Sequence, residues 1–178
     1  MNLKKLKTLD IFIIFGLCFL THFLYTWLPN SLFSIFFPVN ESIWEHMKML
    51  FSAIILCGLI DYFLIKKFDI DSNNLIFSTF ITGIISVPLF LLIYLPIYNL
   101  IGENMFINLI TLFITIYFVE IIGYFIMSKE GNNILNIIGI VGIIISYIIF
   151  GILTYNPPKN DLFLDTTKNK YGINIYAI

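Results

Sequence analysis

Five long apolar runs dominate this sequence and limit what the chain can fold into. They lie at about residues 10–28, 45–66, 74–99, 105–127 and 134–155. A helix needs about 20 apolar residues to cross the hydrocarbon core of a bilayer, and each run is close to that length. Lipid offers no partner for backbone polar groups, so such segments must be helical. The runs do not alternate as barrel strands do. The sequence therefore predicts an all-α, polytopic transmembrane helical bundle.

The composition indicates that the lipid bilayer is the main partner of the chain. Of the 178 residues, 59% are hydrophobic and 12% are charged, whereas soluble domains have about 45–50% and about 25%. A water-soluble particle of this size cannot bury that excess, so we expect one integral membrane domain over residues 1–178 with a short tail at 156–178. The formal net charge of −1 gives no basic surface, which argues against nucleic-acid binding.

Lysines in the short connections predict the orientation, because positive charge marks the cytoplasmic side. With five spans, three groups of lysines fall on one side: Lys4, Lys5 and Lys7, then Lys66 and Lys67, then Lys129. We therefore expect a cell-membrane protein with a cytoplasmic N-terminus and an extracytoplasmic C-terminal tail, although the tail's own lysines count against this. The loop 29–44 and the loop near Glu103 are then expected outside. The stretch "SLFSIFF" in the first of these loops is too short to span, and is expected to lie in the interface or to fold back as a lid.

One short stretch, "PVNESIWEHMKMLF" from Pro38 to Phe51, concentrates charge in this apolar chain. Proline excludes a helix interior and Asn40 is a good N-cap, so a helix is predicted to begin near Glu41. At about 100° per residue, Glu41, Glu45, Lys48 and Ser52 share one stripe, and His46 lies on another face. Ionisable groups at membrane depth are costly unless they are paired or face a cavity.

The two histidines of the chain are predicted to meet. His22 lies near the outer end of the first span, and His46 lies at similar depth below the start of the second. The double proline after the last span returns the tail to the same side and brings Asp165 with it. The candidate ligand-binding residues of this outer layer are His22, Glu41, Glu45, His46, Lys48 and Asp165.

Several roles remain open for these residues. His22, His46 and Glu45 are a candidate ligand set for a divalent metal with an open position. A histidine and a glutamate also serve as acid and base without a metal. The group is equally suited to binding a cationic ligand, or to tying helices together. At the level of the protein, the choice is between a binding or transport component, with a small ligand or a membrane-complex partner, and a metal-assisted hydrolase of a lipid or peptide.

Other polar positions lie deeper in the spans. Asp61 is expected to pair with Lys66 near the inner interface, and Glu120 is expected to share a face with Tyr117 and Tyr124. Two further groups are expected to pack or to line a pocket. Small residues in the third and fifth spans are predicted to allow close helix packing: Thr79, Thr82, Gly83, Ser86, Gly139, Gly142 and Ser146. Polar residues on one face of the fourth span are expected to line a pocket: Asn104, Asn108, Thr111 and Thr115.

The segments "HFLYTW", "FFPVNESIWEHMKMLF" and "PPKNDLFLD…YGI" resemble a family of small bacterial integral membrane proteins of unknown function. The resemblance covers most of the chain and is most specific at "PVNESIWEH", within a PVNESxWEHxK signature. It implies a polytopic membrane protein and carries no assigned activity.

Overall fold

The computed structural model describes residues 1–102 and 104–173. Five described helices are long and apolar enough to cross a membrane, which confirms the predicted fold class. They are α1 (Leu3–Trp27), α3 (Ile43–Phe68), α4 (Leu75–Ile101), α5 (Met105–Met127) and α6 (Asn133–Tyr155). A short helix α2 (Ser31–Phe36) follows α1, and a hairpin of β1 (Leu164–Asp165) and antiparallel β2 (Lys170–Tyr171) lies in the tail. The predicted loop at Glu103 and the last five residues of the tail lie outside the described residues.

The first helix begins earlier than the apolar run that predicts it. The side chain of Asn2 caps it by accepting a hydrogen bond from the backbone N–H of Lys5, as asparagine does at N-caps. The lysines of the N-terminal segment are therefore helical, and Lys7 lies on the buried side of α1. Lys7 therefore contacts buried acidic side chains at one end of the bundle.

Four of the long helices pack as a ring. Helix α1 contacts α3 and α5, and α4 contacts the same two helices. Helix α6 packs outside the ring against α4, and α2 packs against α6. Successive long helices run in opposite directions, so His22 of α1 meets His46 of α3 at one end, which we call the histidine end. Lys7 of α1 meets Asp61 of α3 at the opposite end, which we call the lysine end.

The outside of the bundle is apolar. On α6, Ile144, Ile148 and Ile152 each remain more than half exposed, and they follow a helical spacing of four residues. Such a surface is unfavourable in water and suits the hydrocarbon of a bilayer. The ring encloses most of the buried side chains, so the polar residues inside it must find their partners within the protein.

Small residues let α6 approach α4 closely, as the sequence predicts. A Cβ atom added to Gly139 would lie 2.8 Å from the backbone carbonyl of Ile76 and from the Cα of Phe77. A Cβ at Gly142 would collide with the ring of Phe80. The α4–α6 interface therefore depends on glycine at both positions.

We expect Gly139→Ala to lower the free energy of unfolding by about 1–3 kcal/mol, because backbone atoms cannot move aside as a side chain can. Gly16→Ala is the matched control in α1, since no described atom lies within 4 Å of the Cβ that it would gain. The control should be neutral, or stabilising by up to about 1 kcal/mol through helix propensity. Unfolding of the two variants in detergent would test this. Equal stability of Gly139→Ala and the wild type would contradict the close packing.

Candidate metal centre

Helix α3 begins two residues later than the sequence predicts. This shift leaves Glu41 in the preceding loop, beside the two histidines. Its N-cap is Ser42, whose hydroxyl accepts from the backbone N–H of Glu45 at 3.3 Å. The predicted cap, Asn40, instead accepts from the N–H of Ser42 at 2.9 Å and donates to the carbonyl of Gly172. Glu41 therefore lies in the loop before the helix. It does not share a helical stripe with Glu45 and Lys48, as the sequence predicts.

Glu45 and Lys48 form a buried ion pair away from the histidines. Lys48 Nζ lies 2.6 Å from Glu45 Oε2, and both side chains are buried. Lys48 also donates to the carbonyl of Ser34 and to the hydroxyl of Thr154, each at 2.8 Å. Thr154 donates in turn to Glu45 Oε1 at 3.0 Å, and the N–H of Val39 donates to Oε2 at 3.1 Å. This network ties α2, α3, α6 and the intervening loop together.

The structure replaces one member of the predicted metal-ligand set. Glu45 points towards α2 and α6, where its carboxylate is occupied by Lys48. The carboxylate beside the histidines belongs to Glu41, whose Oε2 lies 3.5 Å from the Nε2 atoms of both His22 and His46. The two Nε2 atoms are 3.3 Å apart, so the predicted meeting of the histidines is present. Together, His22, Glu41 and His46 form a candidate metal-binding group, which we call the His–Glu triad.

Hydrogen bonding fixes the tautomer of one histidine. His46 Nδ1 lies 2.8 Å from the backbone carbonyl of Ser42. A carbonyl oxygen only accepts, so Nδ1 carries a proton. In neutral His46, Nε2 then presents a lone pair to the triad. Glu41 adds acceptor oxygens at the same point, and a cation bound there would displace the proton that His22 Nε2 donates to Glu41.

Glu41 is the most accessible member of the triad, with 46% of its side chain exposed. The hydrogen bond from His22 lowers the pKa of Glu41, and the nearby His46 and His22 charges act in the same direction, against the effect of partial burial. A carboxyl group whose folded pKa is depressed stays ionised at neutral pH. Its favourable contribution is lost only as the pH falls below the usual glutamate range.

Asp165 holds the loop that carries Glu41. Its Oδ2 accepts from the backbone N–H of Glu41 at 3.3 Å, and its Oδ1 accepts from Thr167 and Lys168 in the tail hairpin. Burial would raise the pKa of Asp165, but these hydrogen bonds outweigh it and the pKa is lowered. Asp165, predicted as a ligand-binding residue, therefore contacts the backbone of Glu41, and its carboxylate is already occupied by N–H and hydroxyl donors.

The tail also packs on the start of α3. The N–H of Trp44 donates to the carbonyl of Leu162 at 3.0 Å. The ring of Phe163 is buried with its centroid 5.0 Å from that of Trp44. The outer layer of the bundle is thus a folded assembly of loop, helix start and tail, and Glu41 is held at its centre.

A cavity of about 570 Å³ opens beside the triad. All three triad residues line it, together with side chains of α1, α3, α4, α5 and the tail. Most of the wall is apolar. Phe90, Tyr94 and Tyr98 form a continuous aromatic face along α4, with ring centroids 5.2 and 5.5 Å apart.

Sequence reasoning missed this aromatic face, although the spacing of four residues is a visible signal for one helix side. Of the pocket residues predicted on α5, Asn108 lines the cavity. Thr111 and Thr115 are buried, and the Thr115 hydroxyl donates to the Thr111 carbonyl. Asn104 caps α5.

Two deeper acids both lie beside Lys7, and the predicted pairing of Asp61 with Lys66 is wrong. Asp61 pairs with Lys7 at 2.8 Å, whereas Lys66 donates to the hydroxyl of Tyr62. Glu120 also lies beside Lys7, at 3.2 Å. The apolar run predicts a first span from about residue 10, whereas α1 begins at Leu3 and includes Lys7.

A model of DUF6512, a family of unknown function, matches residues 1–173. Comparison with curated proteins gives no match. Comparison with solved structures gives none either.

The buried ion pair is predicted to be structural. Lys48→Met leaves the Glu45 carboxylate buried without its counter-charge and should lower the free energy of unfolding by about 3–5 kcal/mol. Lys129→Met, an exposed lysine at the other end, should change it by less than about 0.5 kcal/mol. Denaturation in detergent measures both.

The double variant Glu45→Met with Lys48→Met adds a sharper check on this pair. It should recover much of the loss, because no uncompensated charge is left. Strictly additive losses from the two single changes would show that the charges do not depend on each other.

Proposed function

The chain belongs to the DUF6512 family, and we propose that it is a membrane protein whose His–Glu triad binds a divalent metal ion. The observation that supports this is the size of the triangle formed by His22 Nε2, His46 Nε2 and Glu41 Oε2, with sides of 3.3, 3.5 and 3.5 Å. In a tetrahedral site with bonds of about 2.1 Å, neighbouring ligand atoms are about 3.4 Å apart. One cation fits all three atoms without rearrangement of the backbone.

The surroundings of the triad support the same assignment. Metal-bound histidines usually donate their other ring nitrogen to a carbonyl or carboxylate, which orients the ring. His46 does so through Nδ1 to the carbonyl of Ser42. Asp165 and Asn40 hold the Glu41 loop through backbone and side-chain hydrogen bonds. The loop and tail therefore hold Glu41, and the Ser42 carbonyl orients His46. His22 Nδ1 has no hydrogen-bond partner among the described residues.

The donor set favours zinc. Two imidazoles and one carboxylate with an open fourth position form a ligand set found in catalytic zinc sites, and structural zinc sites usually have four protein ligands. A metal in such a site acts as a Lewis acid and lowers the pKa of bound water to about 7. The triad lines the cavity, so we infer that the open position faces it.

The cavity indicates the class of substrate. Its volume of about 570 Å³ is within the usual range for small-molecule sites, and its apolar wall suits a hydrocarbon chain. Asn108 and Thr167 add polar groups to the lining. We infer a hydrolase of a membrane lipid or hydrophobic peptide, in which water adds across an ester or amide bond to release a carboxylic acid and an alcohol or amine. With the lysine end in the cytoplasm, this chemistry would take place on the extracytoplasmic side.

A non-catalytic binding or transport component is the second candidate function. The observation that favours it is the 46% exposure of the Glu41 side chain, which gives a cation direct access from water. Such a component would bind the metal or a small ligand and pass it to a partner in a membrane complex. Zinc-loaded protein in liposomes separates the two functions. Release of fatty acid from phospholipid, or cleavage of a hydrophobic peptide, supports the hydrolase, and stoichiometric binding without turnover supports the second candidate.

The metal assignment predicts the zinc content of the purified protein. Wild-type protein in detergent, supplied with zinc and then desalted, should retain about one zinc per chain in elemental analysis. His22→Ala and His46→Ala should retain close to none, and Glu41→Gln should bind at least about tenfold more weakly. Glu130→Gln, which changes an exposed acid at the lysine end, is the matched control and should bind like the wild type. Unchanged zinc content in both folded histidine variants would contradict the assignment.

A further inference from the structure

Four ionisable side chains meet inside the ring at the lysine end. Lys7 Nζ lies 2.8 Å from Asp10 Oδ2, 2.8 Å from Asp61 Oδ2 and 3.2 Å from Glu120 Oε2. Lys7 and Asp10 come from α1, Asp61 from α3 and Glu120 from α5, and all four are buried. Three helices of the ring therefore converge on one lysine, and we call these four residues the carboxylate cluster.

The charges of the carboxylate cluster do not balance. With every group ionised, three carboxylates face one ammonium group, which leaves a net charge of −2. Burial of an uncompensated charge is strongly unfavourable, and buried groups usually neutralise instead. The cluster therefore requires neutralising species beyond Lys7.

Unpartnered oxygens show where such species would bind. Asp10 Oδ1 and Asp61 Oδ1 are buried and have no hydrogen-bond partner among the described residues. Asp10, with none of its surface exposed, offers a carboxylate oxygen within 4.8 Å of one on Asp61 and of the Cys57 sulfur. A buried acceptor left without a donor is costly, and a carboxyl group that gains a proton becomes a donor itself.

The position of Lys7 favours a proton over a metal ion. Its ammonium group lies within 3.2 Å of an oxygen of each of the three carboxylates. Its charge repels a second cation, also at the neighbouring group of Asp10, Asp61 and Cys57. A proton binds on a single carboxylate oxygen. We propose that the carboxylate cluster is a proton-binding site that holds about two protons at neutral pH and exchanges them with the aqueous phase at the lysine end. Lys7, with 11% of its side chain exposed, is its most exposed member.

The other side chains near the carboxylate cluster come from α3, α4 and α5. The Cys57 thiol of α3 lies beside Asp10 and Asp61. Tyr124 of α5 lies one turn beyond Glu120 and packs with the buried residues at that end. From α4, the groups next to Gly123 near Glu120 are the hydroxyl of Ser78 and the methyl group of Thr82, and neither ionises near neutral pH.

The proton-binding site does not depend on the proposed metal centre. Asp10 and His22 are 12 residues apart on α1, which corresponds to about 18 Å of helix. Loss of the metal should leave the carboxylate cluster unchanged, so each proposal can be tested without the other.

Infrared spectroscopy tests the proposal on wild-type protein. At pH 8 the exposed carboxyl groups are ionised, so a protonated carboxyl band that shifts in D₂O should come from the cluster. Protein labelled with ¹³C only in aspartate, or only in glutamate, assigns the band without any substitution. The absence of a protonated carboxyl band at pH 8 in both labelled proteins would overturn the proposal.

Substitutions in the carboxylate cluster measure how many protons it holds. Glu120→Gln leaves two carboxylates and one ammonium, so about one proton should remain and the band should fall by about half. Glu130→Gln removes an exposed acid at the same end and should leave the band unchanged. A full-sized band in folded Glu120→Gln and in folded Asp10→Asn would also overturn the proposal, as would one tightly bound sodium or other metal ion per chain that Asp10→Asn abolishes.

Discussion

The buried ion pair between Glu45 and Lys48 organises the histidine end of the molecule. It joins the start of α3 to the carbonyl of Ser34 in α2 and to Thr154 in α6, and it holds the preceding loop through the N–H of Val39. A charge pair at this depth is stable only when its remaining hydrogen-bonding groups are satisfied, and here backbone and hydroxyl groups satisfy them. The charged motif of the sequence thus divides into a buried ion pair, Glu45 and Lys48, and two members of the candidate metal-binding group, Glu41 and His46.

The ring of helices is polar at both ends and apolar between them. The His–Glu triad and its cavity lie at one end, and the carboxylate cluster lies at the other. The layer between them is mainly apolar and includes Ile14, Leu50, Ile54, Ile116 and Val119. Its buried hydroxyls, such as those of Ser86 and Thr115, donate to carbonyls of their own helices. Such a distribution follows from the bilayer, because ionisable groups are least costly where they are paired or reach an interface or cavity. It also keeps the two proposed sites electrostatically separate.

The sequence was sufficient for the spans and for the meeting of His22 with His46, because span length and helix direction decide both. It could not decide which of the two glutamates joins the histidines, since that depends on where α3 begins. Ser42 is the cap rather than its asparagine neighbour, and the choice is made by tertiary hydrogen bonds from the loop to the tail. The role of Lys7 was hidden for a similar reason. Only the assembled ring shows that a lysine near the terminus is the counter-ion of three distant acids.

The His–Glu triad is proposed as a metal centre with one position open to the cavity. X-ray absorption at the zinc edge of the loaded protein measures the number and type of ligands directly. We expect a four-coordinate shell of nitrogen and oxygen atoms at about 2.0–2.1 Å, with the outer-shell scattering of two imidazoles. A shell of six oxygens without imidazole scattering, or a shell containing sulfur from Cys18 or Cys57, would contradict it.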